Sequence, residues 1–121
     1  MADHTCLNYR ELEQSDSFAY GAKFDVDDAL GATTQSISVI EFDPGEAGPL
    51  SYHDEPVEEL YVVLEGTLEI ELDGETFLAD AGSTALITPG VEHRPRNTSD
   101  ELAVLLVVQA PPAENTTYVE E

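Results

Sequence analysis

The sequence contains almost no cysteine and no long apolar run. Cys6 is the one cysteine among 121 residues, so no disulfide can form within the chain and a site of several thiolates from one chain is excluded. No segment approaches the roughly 20 apolar residues of a membrane-spanning helix. The first residues also lack the basic and apolar stretches of a secretory signal. These absences predict a soluble, cytoplasmic protein.

Positive charge is scarce as well. Four Lys and Arg residues stand against 26 Asp and Glu residues, which gives a formal net charge of −22. Such a chain repels nucleic-acid phosphates and anionic membranes, so neither is an expected partner. Self-repulsion destabilises so charged a compact body at low salt, whereas near 1 M salt the screening length falls to about 3 Å. We therefore expect an acidic, halophilic protein that works in a salt-rich cytoplasm.

Thermal melting in a KCl series tests the expectation of salt adaptation. The melting temperature should rise by about 10 °C or more between low and multimolar KCl, because screening removes a repulsion of a few kcal/mol and each kcal/mol shifts the melting temperature of a domain this size by roughly 4 °C. A melting temperature that stays flat across the series contradicts the expectation.

From residue 34 onward the sequence has the pattern of short strands between Gly and Pro turns. Predicted strands cover residues 35–42, 60–64, 67–73, 76–79, 84–88 and 102–108. Residues 67–73 alternate apolar and polar side chains, and Asp73-Gly74 favours a hairpin turn. No convincing helical period occurs. A chain of this length and pattern predicts one all-β domain, either a sandwich or a barrel.

Both ends of the chain are less regular. Phe18, Tyr20 and Phe24 recur at even spacing, which predicts a short extra strand followed by a loop through Asp27-Asp28. Residues 1–110 are thus expected to form the single domain with an N-terminal strand extension. Residues 111–121 are expected to be an acidic tail, or an arm on a neighbouring subunit, because the proline pair at its start does not enter a sheet easily.

Two of the three histidines lie among carboxylates near turns. His53 and Glu55 share one face of an extended segment, because side chains alternate along it. Glu59 begins the next strand, with Tyr61 on the same face, and the turn before His93 can deliver this imidazole to the same mouth of a barrel. Two imidazoles with one or two carboxylates form a ligand set for a divalent metal. Solvated surface groups with no ligand are the alternative interpretation.

These residues resemble the two motifs of the cupin superfamily. The first is similar to Gly48-(x4)-His53-x-Glu55-(x3)-Glu59-(x6)-Gly66, and the second to Gly82-(x7)-Gly90-(x2)-His93-(x3)-Asn97. The resemblance runs from about residue 39 to residue 108. It implies a small single-domain cupin with a β-barrel of the jelly-roll type, also called a double-stranded β-helix. It also implies that His53, Glu59 and His93 are metal ligands.

Three positions depart from the family pattern. Glu55 stands where the family usually has its second histidine, Pro89 and Thr88 shift the expected proline by one residue, and Gly48 is one residue closer to His53 than usual. Only the first departure changes the site. As a fourth ligand, Glu55 favours Mn²⁺ or Fe²⁺, although Zn²⁺, Ni²⁺ and Cu²⁺ compete by affinity order. Unbound, it is a candidate general base beside an open coordination position.

The resemblance implies a metal-dependent enzyme of dioxygenase, isomerase or decarboxylase type, acting on a small, polar, oxygen-rich molecule. A non-catalytic module that holds a metabolite or a metal is the alternative. The hydroxyl of Tyr61 is a candidate for contact with the substrate, unless this residue is a plain core aromatic. Arg94 and Arg96 are expected to pair with surface carboxylates or with a second subunit rather than to hold substrate. The resemblance and the exposed strand edges together predict a homodimer.

Overall fold

The computed structural model describes residues 4–120 and contains ten strands, one α-helix and one 3₁₀ helix. The ends of the predicted domain and tail, residues 1–3 and 121, lie outside it. In chain order the elements are a 3₁₀ helix Tyr9–Glu11, β1 Ala22–Asp25, α1 Val26–Leu30, β2 Ser36–Phe42, β3 Ser51–Tyr52, β4 Glu58–Glu65, β5 Thr67–Leu72, β6 Glu75–Asp80, β7 Thr84–Ile87, β8 His93–Arg96, β9 Ala103–Ala110 and β10 Thr117–Tyr118.

The strands form two five-stranded sheets. One has the order β1-β2-β9-β4-β7, the other has the order β10-β3-β8-β5-β6, and every strand pair is antiparallel. Strands that follow each other along the chain thus often lie in different sheets, as in a jelly roll. The all-β barrel predicted from the sequence is confirmed.

The main core lies between the two sheets. Strand β4 shows how the sequence builds it, because Glu59, Tyr61 and Val63 are buried on one face while Glu58 is exposed on the other. Residues buried in the same cluster come from both sheets and are Ile40, Phe42, Tyr61, Val63, Leu68, Ile70, Ala79, Ile87, Ala103 and Leu105. The inward face of β4 therefore carries a carboxylate at one end and packs apolar side chains at the other.

Turn chemistry agrees with the sequence in two places. Asp73 and Gly74 both have positive φ, at 51° and 83°, as a tight hairpin between β5 and β6 requires. Gly66 has φ of +72°, and a Cβ there would collide with the carbonyl oxygen of Leu102 and the backbone of Ala103. The glycine between β4 and β5 is thus required both by backbone conformation and by the approach of the segment before β9.

Buried Asn97 holds three backbone segments together. Its side-chain nitrogen donates to the carbonyl oxygens of Phe42 and Glu101, each at 2.8 Å. Its side-chain oxygen accepts from the backbone N–H of Ser99 at 3.0 Å and from the hydroxyl of Ser99 at 2.6 Å. The asparagine at the end of the second motif therefore has a structural role, joining the end of β2 to the loop before β9.

Two expectations from the sequence are wrong. The predicted loop through Asp27-Asp28 is the single turn of α1, which Gly31 ends in a left-handed conformation and which buries Val26 against β2 and β9. Residues 111–121 are expected to be a tail or an arm on a neighbouring subunit, yet Thr117–Tyr118 pairs with Ser51–Tyr52 of the same chain. The proline pair ends β9, and the chain beyond it then turns back over its own barrel.

Candidate metal centre

Three strand ends bring His53, Glu59 and His93 together at one end of the barrel. His53 directly follows β3, Glu59 is the second residue of β4, and His93 is the first residue of β8. Pairing of Ser51 with His93 fixes β3 beside β8, so that the two imidazoles enter from one sheet and the carboxylate from the other. All three residues are buried, with 5%, 4% and 3% of their surface exposed.

The donor atoms of the three residues converge on one point. His53 Nε2 lies 3.2 Å and His93 Nε2 lies 2.9 Å from the same carboxylate oxygen, Oε2 of Glu59. One ligand atom from each residue lies within 4.8 Å of the other two. This spacing suits three ligands at about 2.0–2.2 Å from a common ion.

Backbone carbonyl groups fix the orientation of both imidazoles. His53 Nδ1 lies 3.1 Å from the carbonyl oxygen of Asn115, and His93 Nδ1 lies 2.9 Å from that of Val91. A carbonyl oxygen can only accept a hydrogen bond, so each Nδ1 carries a proton and donates it. In the neutral ring, the lone pair is then on Nε2. Second-sphere bonds of this kind orient metal-ligating histidines.

A cation is needed to complete this arrangement. Two Nε2 lone pairs and a carboxylate oxygen face one another in a buried space, where electron-rich atoms repel unless positive charge lies between them. Either extra protons on the rings or a metal ion supplies that charge. The donor set of two imidazole nitrogens and one carboxylate is the two-His-one-carboxylate set of first-row metal sites, so the residues fit a divalent transition metal.

The pKa values of Glu59 and His53 show that each group stabilises the charged form of the other. Burial alone would raise the pKa of Glu59, but hydrogen bonds from His53 and His93 and their positive charge outweigh burial and hold the pKa at about 2. The hydrogen bond to Glu59 raises the pKa of His53 against the opposing effect of burial, with help from the carbonyl of Asn115. The carboxylate thus stays ionised, as a metal ligand must be.

Comparison with known proteins identifies the family. The cupin domain family matches residues 38–109, which is more than half of the chain. The chain belongs to the cupin family. This cupin is 39% identical over 82 residues to the polyketide synthase CurC of Streptomyces cyaneus, with 68% of this chain and 53% of that protein covered. It therefore spans about half the length of that curated relative.

Solved structures share the fold of this cupin. The polyketide cyclase RemF from Streptomyces resistomycificus matches with a TM-score of 0.82 and 19% identity, covering 97% of this chain and 86% of that one. A cupin-superfamily sugar phosphate isomerase from Silicibacter pomeroyi matches with a TM-score of 0.81 and 22% identity, covering 97% and 83%. At these identities the likeness establishes the barrel, and the site must be argued from its own residues.

Glu55 lies outside the converging group of this cupin. Its two carboxylate oxygens accept hydrogen bonds from the backbone N–H groups of Glu114, at 3.2 Å, and Asn115, at 2.5 Å. Its charge still contributes to raising the pKa of His53. The structure thus brings together three of the four residues proposed as ligands from the sequence, and the roles of Glu55 as ligand or base stay predictions.

Tyr61 lies beside the cluster, with 4% of its surface exposed. Its ring meets that of His93 edge-on at a centroid distance of 5.8 Å, and it belongs to the barrel core while also lining the cavity. Burial, and then the negative charge of Glu59, raise the pKa of its phenol well above the usual value. The hydroxyl therefore keeps its proton at neutral pH and can act as a hydrogen-bond donor.

Gln109 is a neighbour of the cluster that sequence reasoning missed. Its amide nitrogen lies 3.3 Å from His53 Nε2, and it pairs with Glu59 across β4 and β9. The sequence carries no direct signal for this contact, because it depends on which strand lies beside β4 and in which register. The predicted strand also ended at residue 108, one residue before it.

The cluster opens into a cavity of about 160 Å³. Polar groups on its wall include Ser36, Ser38, Gln109 and Thr116, together with Lys23, the one lysine of the chain. The ammonium of Lys23 lies 3.6 Å from a carboxylate oxygen of Asp25. The volume is below the roughly 300–1,000 Å³ of drug-sized sites, so the cavity suits a small molecule.

Arg94 and Arg96 contact a carboxylate on the neighbouring strand, as the sequence predicted. Their guanidinium groups lie 3.2 Å and 3.0 Å from the same oxygen of Glu71 on β5. Neither arginine is among the residues that line the cavity.

No helix in residues 4–120 is long and apolar enough to cross a membrane.

Proposed function

We propose that this cupin is a metal-dependent enzyme that acts on a small, polar, oxygen-rich molecule. The observation that carries the proposal is the meeting of His53 Nε2, His93 Nε2 and Glu59 Oε2 in a buried space at the head of a cavity with both polar and apolar walls. Both rings are oriented by carbonyl groups for coordination through Nε2. Three protein ligands leave coordination positions for a substrate oxygen, which is the arrangement of catalytic rather than structural metal sites.

His53, Glu59 and His93 would hold the metal, and a first-row divalent ion of the Mn, Fe, Ni or Zn type suits their nitrogen and oxygen donors. When bound, such an ion supplies Lewis-acid polarisation of a substrate carbonyl or hydroxyl oxygen. The protein contributes a dry wall around the ion, made by the apolar core on one side. Tyr61 contributes a protonated hydroxyl beside His93, which can donate a hydrogen bond to a substrate oxygen.

We propose isomerisation or cyclisation by proton transfer next to a carbonyl group as the reaction class. Two of the similar proteins are described as a sugar phosphate isomerase and a polyketide cyclase, and both kinds of conversion rearrange oxygen-rich carbonyl compounds. Ser36, Ser38 and Lys23 are among the residues that line the cavity, and the Lys23 ammonium lies 3.6 Å from Asp25. These groups suit a substrate with several oxygens and an anionic end.

A non-catalytic binding module is a second candidate that one observation favours. Among the described residues lining the cavity, Glu59 is the one carboxylate, and it belongs to the metal cluster. Glu55, the predicted base, is bonded to the C-terminal segment. An enzyme of the proposed kind needs a group that accepts the substrate proton, so Glu55 would serve only if that segment moved.

Solvent deuterium exchange separates the two candidates. Protein purified without chelators or nickel affinity is stripped of metal, reloaded with Mn²⁺ or Zn²⁺, and incubated in D₂O with a panel of small hydroxy acids, oxo acids and sugar phosphates. The enzyme proposal expects metal-dependent deuterium incorporation into at least one compound, reduced in Tyr61→Phe although that variant still binds metal. Saturable binding of a compound with no exchange and no conversion in either metal form supports the binding module instead.

We propose that the chain forms a homodimer through the edge of the barrel that β6 and β7 provide. Leu78 on β6 and Leu86 on β7 have 75% and 58% of their surface exposed, and Phe77 has 49%. Two edge strands with exposed apolar side chains favour association with another chain. Size exclusion in 2–3 M KCl should give an elution volume of a dimer, shifted toward monomer by Leu78→Glu. A wild-type volume matching 13.1 kDa contradicts this proposal.

A further inference from the structure

The end of the chain is tied across the mouth of the barrel, next to the metal cluster. We call residues 113–119 the C-terminal strap. Its strand pairs with β3, and the N–H of Val119 donates to the carbonyl oxygen of Leu50 at 2.9 Å. Thr116 and Tyr118 of the strap line the cavity. The strap therefore forms part of the wall of the site, although its side chains are mostly exposed.

Glu55 anchors the strap from the side of the barrel. Its carboxylate accepts hydrogen bonds from two successive backbone N–H groups, those of Glu114 and Asn115. Hydrogen bonds to an ionised carboxylate are roughly twice as strong as neutral ones. Both oxygens are used in this way, one for each N–H. The carboxylate thus fixes the peptide groups at the point where the strap passes His53.

Asn115 also orients His53. Its N–H donates to the carboxylate of Glu55, and its carbonyl oxygen lies 3.1 Å from His53 Nδ1. The hydroxyl of Thr116 lies 3.4 Å from the same nitrogen. A continuous path of hydrogen bonds therefore runs from Glu55 through the backbone of Asn115 to the ring of His53. The contact at Nδ1 selects the tautomer whose Nε2 lone pair faces Glu59.

We infer that Glu55 is a positioning residue that holds the strap in place, so that the Asn115 carbonyl orients His53 for the metal. The inference rests on the proposed metal site. It assigns to Glu55 a role other than ligand or base, and it explains how a carboxylate can replace the second histidine of the cupin motif. In the family pattern a histidine at this position supplies a fourth ligand. In this chain Glu55 at the same position holds the strap that orients His53.

A double-mutant cycle that measures Co²⁺ affinity tests the inference. Co²⁺ is titrated by calorimetry into wild-type protein, Glu55→Ala, a chain ending at residue 110, and the combination of both changes. We expect Glu55→Ala and the truncation each to weaken Co²⁺ binding by about 10–100-fold, the range for loss of a second-sphere partner. In the truncated chain, Glu55→Ala should weaken Co²⁺ binding no more than Glu58→Ala does, because Glu55 orients His53 only through the strap and otherwise acts as a nearby charge.

A matched variant controls for charge. Glu58→Ala removes an exposed carboxylate next to Glu59 in the sequence. It should bind Co²⁺ as wild type does. If the truncated chain fails to fold, Val119→Pro loosens the strap instead, because proline cannot donate to Leu50.

Hydrogen exchange in the metal-free protein gives a readout that does not depend on the metal. The amides of residues 114–118 should exchange at least tenfold faster in Glu55→Ala than in wild type or Glu58→Ala. Unchanged exchange overturns the anchoring role. A loss of Co²⁺ affinity larger than that of Glu58→Ala, when Glu55→Ala is added to the truncated chain, shows a direct ligand and also overturns the inference. Wild-type protein that binds no Co²⁺ at all refutes the metal proposal itself, whatever the strap does.

Discussion

Glu59→Gln should lower the affinity of the chain for a divalent cation by more than about 100-fold, beyond the range expected for a residue that only orients a ligand. Oε2 of Glu59 is the atom that both imidazole Nε2 atoms share, and it is buried. The amide keeps the size of the side chain but removes its negative charge. Without that charge, one neutral oxygen and two neutral imidazoles must compensate the full charge of a desolvated dication.

Glu58→Gln is the matched control for this change. Glu58 precedes Glu59 on β4 and points to the opposite, exposed face. The same chemical change one residue away should leave cation affinity within about twofold of wild type, as measured by calorimetry with Co²⁺ or Mn²⁺ in chelator-free buffer. Equal losses in both variants would show that general surface charge, rather than the cluster, attracts the cation.

Asn97→Asp should destabilise the fold by roughly 3–5 kcal/mol at neutral pH, a large part of the 5–15 kcal/mol typical of a domain. The side chain is 1% exposed and keeps nearly the same shape. However, the nitrogen that donates to the carbonyl oxygens of Phe42 and Glu101 becomes an acceptor. A buried carboxylate oxygen then faces two carbonyl oxygens with no proton between them.

Urea unfolding monitored in multimolar KCl measures this loss, with Asn115→Asp as a control. Asn115 is exposed, and its contacts with His53 and Glu55 are made by its backbone groups. The control should unfold within about 0.5 kcal/mol of wild type. A similar stability for Asn97→Asp and wild type would show that Asn97 does not hold β2 to the loop before β9.

The alternation of buried and exposed side chains along β4 explains why the sequence predicts the positions of Glu59 and Tyr61. The period of two places Glu59 and Tyr61 on one face of a strand, and the burial of that face follows from Val63. Spacing around His53 and His93 matches the two cupin motifs, so the three converging residues follow from pattern and resemblance together. The hairpin at Asp73-Gly74 is equally local, and it is confirmed.

The remaining contacts depend on strand order, which no local pattern encodes. Gln109 reaches His53 because β9 lies between β2 and β4, and that order is a property of the closed barrel. The strap follows a proline pair at which β9 ends, yet backbone hydrogen bonds with β3 and Glu55 return it to the barrel. The prolines predict a tail, or an arm on a neighbouring subunit, whereas contacts within the same barrel hold the segment.

X-ray absorption spectroscopy of the metal-loaded protein tests the central claim most directly. The account predicts one metal ion per chain with two imidazole ligands, seen as paired outer-shell scattering from the rings and nitrogen or oxygen donors at about 2.0–2.2 Å. The scattering from one of the two imidazole rings should be lost in His93→Ala. A metal surrounded by oxygen alone, with no imidazole scattering and no change in that variant, would show that the ion binds to the acidic surface and that the buried cluster holds none.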